Sequence, residues 1–170
     1  MAKVSIIGTG TWGIALGMVL AQNGHEVTAW SALPKEIEAL RESYKCKNLP
    51  GVEIPRSIVF TADLQDACTD KEMLVLSVPS VFTRGVAKQM NPFVKEGQLI
   101  VSVAKGIEEK TLMTMSQQIE EELPMANVAV LSGPSHAEEV SRGIPTTVVV
   151  GAKDRQTAEH IQNLFMSSVF

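Results

Sequence analysis

Gly8-Thr9-Gly10-Thr11-Trp12-Gly13 is the stretch that decides the fold. It follows the apolar run Val4-Ser5-Ile6-Ile7 and opens a segment carrying Ile14, Leu16, Met18 and Leu20. A strand that ends in glycines at this spacing and runs into a helix is suited to an anion, because the first N–H groups of the helix lack partners and its dipole is positive there. Gly8 permits the tight turn, Gly10 lets backbone approach a phosphate, and Gly13 lets the helix pack closely on the strand. The glycine spacing alone arises by chance in about one chain in twenty of this length. Its position between strand and helix, at the head of a β–α–β unit, gives it weight. A dinucleotide pyrophosphate is therefore expected on residues 8–13, with Gly8, Gly10 and Gly13 as cofactor contacts. The Trp12 indole has an alternative role as core packing, compatible with phosphate binding by its backbone N–H.

Outward from this turn, Val- and Ile-rich runs alternate with stretches of helical spacing, the form of a parallel sheet covered by helices on both faces. Strands are expected at Lys3–Gly8, His25–Trp30, Ile58–Phe60, Met73–Val78, Gln98–Val103, Val128–Leu131 and Thr146–Val150. Helices are expected over 11–23, 34–44, a short stretch to Cys68 capped by Thr61 or Asp63, 81–90, 112–123, a short one from Ser135, and 154–166. Asn23-Gly24 should stop the first helix. The fold class is α/β, a doubly wound Rossmann sheet with strand order 3-2-1-4-5-6. The connection from strand six to strand seven is short for a right-handed crossover, which favours an antiparallel edge strand. Residues 1–170 read as one domain, and Ser167-Ser168-Val169-Phe170 reads as a strand beginning, so a further domain is expected beyond it.

Composition excludes several classes of function. The formal net charge is −4, with acids and bases interspersed, which argues against a nucleic-acid surface needing clustered cations. No apolar run approaches the ~20 residues of a membrane span, and no signal peptide precedes the first strand. Cys46 and Cys68 form no C-x-x-C pair, so reduced thiols in a cytoplasmic protein are expected. No His, Cys and carboxylate pattern suggests a metal.

Ligands of open α/β sheets lie outside the carboxyl ends of the strands. Those ends lead into the glycine turn, Pro79-Ser80, Ala104-Lys105-Gly106 and Ser132-Gly133-Pro134-Ser135. Lys105 is the cation among them, and its ammonium would hold a substrate phosphate or polarise a carbonyl. His136 reads as a packing or capping residue. At the end of strand two, where an acid would bind the ribose of NAD and a cation the 2′-phosphate of NADP, stands Trp30-Ser31-Ala32. Lys35 and Glu36 follow, and both read as a solvated helical face. NAD and NADP are therefore not distinguished.

The chain resembles the bacterial NAD(P)-dependent glycerol-3-phosphate dehydrogenases. The resemblance rests on Ile7 to Gly13, Asn23-Gly24-His25-Glu26-Val27, Leu49-Pro50-Gly51, Val78-Pro79-Ser80, Lys105-Gly106-Ile107-Glu108 and Leu131 to Val140, in family order and at family spacing. It implies reversible hydride transfer between a nicotinamide and dihydroxyacetone phosphate, giving sn-glycerol 3-phosphate for phospholipid synthesis. By position, Thr11 and Trp12 would contact cofactor phosphates, and Lys105 both cofactor and substrate. Gly133 and Ser135 would contact the substrate, and Ala137 the cofactor. Family members often carry Arg or His where this chain has Ala32, so strong NADP preference is not implied. The catalytic general acid–base Lys belongs to a second, helical domain, so no catalytic residue is expected here and the chain by itself should not turn over. The resemblance leaves room for a homodimer of the full-length protein. Two other readings stay open: another two-domain hydroxy-acid dehydrogenase, or a non-catalytic dinucleotide sensor.

Overall fold

Strand pairing places the first apolar run at the centre of a sheet. In the computed structural model, which describes residues 1–170, β1 (Lys3–Ile7) lies in parallel between β2 (Glu26–Trp30) and β4 (Met73–Leu76). β3 (Val59–Thr61) extends the sheet beyond β2. On the other side follow β5 (Leu99–Ser102), β6 (Asn127–Ser132) and β7 (Val149–Gly151). The order is β3-β2-β1-β4-β5-β6-β7, parallel throughout except for the antiparallel edge pair β6–β7. Both the expected order and the antiparallel seventh strand are present.

The central strands are buried on both faces, and their alternation divides the core in two. Val4 and Ile6 of β1, Met73 and Val75 of β4 and Leu99 and Val101 of β5 point to one side. There they meet α1 (Thr11–Gln22), α2 (Pro34–Ser43), α6 (Ala137–Val140) and α7 (Arg155–Phe165). Ile7, Leu74, Leu76 and Ile100 point to the other, against α3 (Leu64–Cys68), α4 (Thr83–Met90) and α5 (Met115–Glu122). Burial on both faces is why these strands read as continuous apolar runs. Helix α1 is buried from Gly13 through Leu20, because the sheet covers one side and α6 and α7 approach the other. No helix is long and apolar enough to cross a membrane.

Several boundaries differ from expectation, each for a local reason. The helix expected from Leu112 begins at Met115, because Thr114 and Gln117 form a capping box: Gln117 N–H donates to Thr114 Oγ1 and Thr114 N–H to Gln117 Oε1. Leu112 instead sits in a turn with φ +60. The helix expected from Val81 opens with a 3₁₀ turn at Ser80–Phe82. Asp63, rather than Thr61, caps α3. The short helix expected from Ser135 starts at Ala137. Strand β7 begins only at Val149, because the preceding residues pass Gly133 and Thr146 N–H donates to Val169 O. Ser167 to Phe170 is not a strand: the Ser167 hydroxyl accepts from the N–H groups of Val169 and Phe170, folding these residues into a turn. Both cysteines are free, and burial pushes the Cys68 thiol up to about 12.

The turn after α1 also anchors α7. Gly24 adopts φ +83, ending α1 as expected. The neighbouring Asn23 amide donates to Leu164 O and Phe165 O at 3.0 Å each, and the His25 ring pairs with Leu164 O at 3.1 Å. Ala2 N–H donates to Nδ1 of the same ring, so Nε2 carries the proton that reaches Leu164 O. Side chains from one turn thus satisfy carbonyls that the last turn of α7 leaves unpaired. Asn23→Ala should cost about 1–2 kcal/mol and lower Tm by about 2–8 °C in thermal unfolding followed by circular dichroism.

Candidate functional site: a groove across the glycine turn

The chain leaves β1 at Gly8 with φ +120, a conformation suited to glycine. Its N–H donates to Trp30 O at 2.9 Å, continuing the sheet. Its carbonyl accepts from the Ser77 hydroxyl at 2.8 Å, so the turn is held from the end of β4. A Cβ on Gly13 would lie 2.1 Å from Gly8 O and 2.5 Å from Ser77 Oγ. Glycine is therefore required at position 13 by the approach of α1 to the turn.

Gly10 differs. It is the N-cap of α1, with φ −61 and no side-chain cap, and a Cβ there would meet nothing within 4 Å. The N–H groups of Thr11, Trp12 and Gly13 have no backbone acceptor, and the first turn of α1 carries no acidic side chain. The buried Thr9 hydroxyl is also without a partner. Open donors, open space at Gly10 and a positive helix end together fit a pyrophosphate.

Two cavities meet above this turn and share Gly10, Ser77, Val78 and Pro79. One, about 590 Å³, runs to the end of β2 and is lined by Trp30, Ser31, Ala32, Leu33, Glu36, Val81 and Phe82 among others. The other, about 430 Å³, runs to the ends of β5 and β6 and includes Lys105, Ser135, His136 and Ala137. Together they form a groove along the carboxyl ends of the central strands. Val81 and Phe82 are 81% and 60% exposed, which gives the first arm an apolar wall.

Residues singled out by sequence occupy this groove unequally. Gly10, Thr11, Trp12, Lys105, Ser135 and Ala137 line the second arm, and Gly8 lines the first. Trp12 is half-buried, borders the groove and also packs against the core. Lys105 is exposed and takes part in none of the ion pairs of the chain, leaving its ammonium available. Ser135 is buried, with its hydroxyl 3.4 Å from Gly133 O. Gly133 itself is outside the lining: a Cβ there would meet Thr147 O at 2.7 Å, so the approach of residues 147–148 accounts for this glycine. His136 is not a packing residue, because it is exposed on the groove and its side chain caps nothing. No cluster of His, Cys, Asp and Glu is arranged to hold a metal ion.

Sequence reasoning missed Ser77, whose role depends on the parallel register of β1 and β4. It also read Glu36 as a solvated face. The Glu36 carboxylate instead turns back to the end of β2 and accepts from the Ser31 hydroxyl at 2.5 Å. The five-residue separation gave no periodic signal for that contact.

Residues 3–158 match the family described as NAD-dependent glycerol-3-phosphate dehydrogenase N-terminus. The chain belongs to this family. A relative from Agathobacter rectalis named glycerol-3-phosphate dehydrogenase (NAD(P)+) is 58% identical, over 100% of this chain and 51% of its own length. One of the same name from Fusobacterium nucleatum is 50% identical, over 100% of this chain and 52% of its own. The chain thus spans about half the length of the curated relatives it matches. The crystal structure of glycerol-3-phosphate dehydrogenase from Coxiella burnetii superposes with a TM-score of 0.92 at 26% identity, covering 99% of this chain and 52% of that one.

In this chain the segment around Lys105 is anchored through its neighbour. Arg84 of α4 binds Glu108 through Nε and Nη2, both at 2.8 Å, and its Nη1 reaches Glu121 at 2.5 Å and Glu122 at 2.9 Å on α5. The Thr111 hydroxyl also donates to Glu108. The Arg84 guanidinium, with help from Thr111, holds the Glu108 carboxyl down at about 2, and the three carboxylates raise the guanidinium above its ordinary value. A depressed carboxyl stabilises the fold above its unfolded pKa and loses that contribution as pH falls through its folded one. The stability advantage of the parent over Glu108→Gln should therefore be full above about 4.5 and close as pH falls towards about 2, read from urea unfolding across that range.

Proposed function

We propose that the chain is the cofactor-binding half of a cytoplasmic oxidoreductase that interconverts dihydroxyacetone phosphate and sn-glycerol 3-phosphate with NAD(P)H, supplying glycerol phosphate for glycerophospholipid synthesis. The observation that carries the reading is the groove passing over the glycine turn, from the end of β2 to Lys105. Family membership and the names of the relatives support it.

The N–H groups of Thr11, Trp12 and Gly13 hold the cofactor pyrophosphate, with the dipole of α1 behind them and the space at Gly10 admitting it. Bound there, the nicotinamide supplies or accepts the hydride. Lys105, Ser135 and Ala137 line the arm that would receive the nicotinamide and substrate, and Gly133 shapes its border by letting residues 147–148 close against β6. The Lys105 ammonium attracts the substrate phosphate or the carbonyl oxygen on which charge develops during reduction. The general acid–base lysine lies outside residues 1–170, in the remaining half present in the longer relatives. On this reading the chain alone binds dinucleotide without turnover.

Gly10→Asp separates binding from folding. Aspartate is a favoured N-cap, so Tm should hold or rise slightly, while its charge sits where the pyrophosphate binds. Calorimetry with NADH and NADPH should show binding to the parent and a loss of about a hundredfold or more in the variant. No binding of either dinucleotide to the parent at millimolar concentration would sink the reading. In the full-length enzyme, Lys105→Ala should lower kcat/KM for dihydroxyacetone phosphate by about a hundredfold or more with little change in cofactor Kd. Unchanged activity removes Lys105 from the site.

A further inference from the structure

The arm of the groove at β2 carries one ionisable side chain, Glu36, and that side chain is held in place. Ser31 follows β2 and is 6% exposed. Its hydroxyl accepts from Leu33 N–H at 3.2 Å and donates to Glu36 Oε2 at 2.5 Å. Glu36 lies in the first turn of α2, and this contact draws its carboxylate onto the groove beside Ala32. Oε2 is engaged by Ser31, whereas no group of the chain donates to Oε1. The adjacent Lys35 is exposed and outside the lining, so no cation balances the carboxylate inside this arm.

A carboxylate with one free oxygen at the end of the second strand has a defined preference. It accepts hydrogen bonds from ribose hydroxyls, and it repels a phosphate in the same place. We propose that Glu36, positioned by Ser31, determines cofactor specificity by selecting a dinucleotide with a free ribose 2′-hydroxyl over its 2′-phosphorylated form. The proposal rests on the cofactor-binding reading above and narrows it from NAD(P) to NAD. Ser31 acts as the positioning residue, through Glu36 rather than by its own contact.

The experiment is a titration of the 170-residue chain with NADH and with NADPH at one ionic strength, following nicotinamide fluorescence. The parent should bind NADH about tenfold or more tightly than NADPH, the scale of a hydrogen bond to a charged group. In Glu36→Gln the ratio should move towards unity, chiefly through tighter NADPH binding. Ser31→Ala should move it in the same direction by a smaller factor. Partial unfolding of a variant weakens both affinities by the same factor, so the ratio reports on the carboxylate even if Tm falls. Parent affinities within about threefold of each other, or a ratio unchanged in Glu36→Gln, overturn the proposal while leaving cofactor binding intact. Binding of neither dinucleotide to the parent overturns the cofactor reading itself.

Discussion

The approach of α1 to the end of β1 is the constraint on which the rest depends. Gly13 sits where a methyl group would overlap Gly8 O and Ser77 Oγ. Without a side chain at that point, the Ser77 hydroxyl reaches the Gly8 carbonyl and ties the turn to β4. The contact fixes the direction in which the N-terminus of α1 points, and so where its unpaired N–H groups gather. A wider helix would leave the strand order intact but point the positive end elsewhere. The fold and the orientation of the open N-terminus of α1 are therefore determined by the same few atoms.

From that point the groove follows from topology. The strand order reverses between β1 and β4, so the connections after these two strands leave on opposite faces of the sheet and open a crevice that the ends of β2, β5 and β6 border. The two arms differ in character because they draw on different connections. One has an apolar wall at Val81 and Phe82 and a lone carboxylate, and the other has an unpaired ammonium at Lys105 and an exposed imidazole at His136. An elongated ligand with a charged middle and unlike ends matches that division.

Loops around the groove are held by contacts remote from it. Arg84 gathers carboxylates from α5 and from the segment after Lys105, which leaves Lys105 itself free. Asn23 and His25 bind the carbonyls at the end of α7, securing the outer cover of α1. Gly133 lets the segment before β7 pass close to β6, and the short α6 that follows brings Ala137 to the groove. Rigidity is supplied from outside, so the groove residues keep free donors and acceptors for a ligand.

The sequence by itself determined the α/β class, the strand order, the antiparallel edge and the glycine turn that opens α1. Buried parallel strands must be apolar throughout, a strand-to-helix turn this tight needs glycine at positions 8 and 13, and a short connection cannot cross over the sheet. It also placed Lys105 just after a strand end, and the family resemblance singled out Ala137; both line the groove. Tertiary structure alone decided what depends on separated residues meeting: Ser77 on Gly8, Arg84 on three carboxylates, and Gly133 against residues 147–148. It turned Glu36 from a solvated helical face into a groove carboxylate held by Ser31, and His136 from a packing residue into an exposed one. Periodicity reports which face of an element is buried. It carries no record of which side chain reaches back across a loop, because that depends on the path of the chain in space.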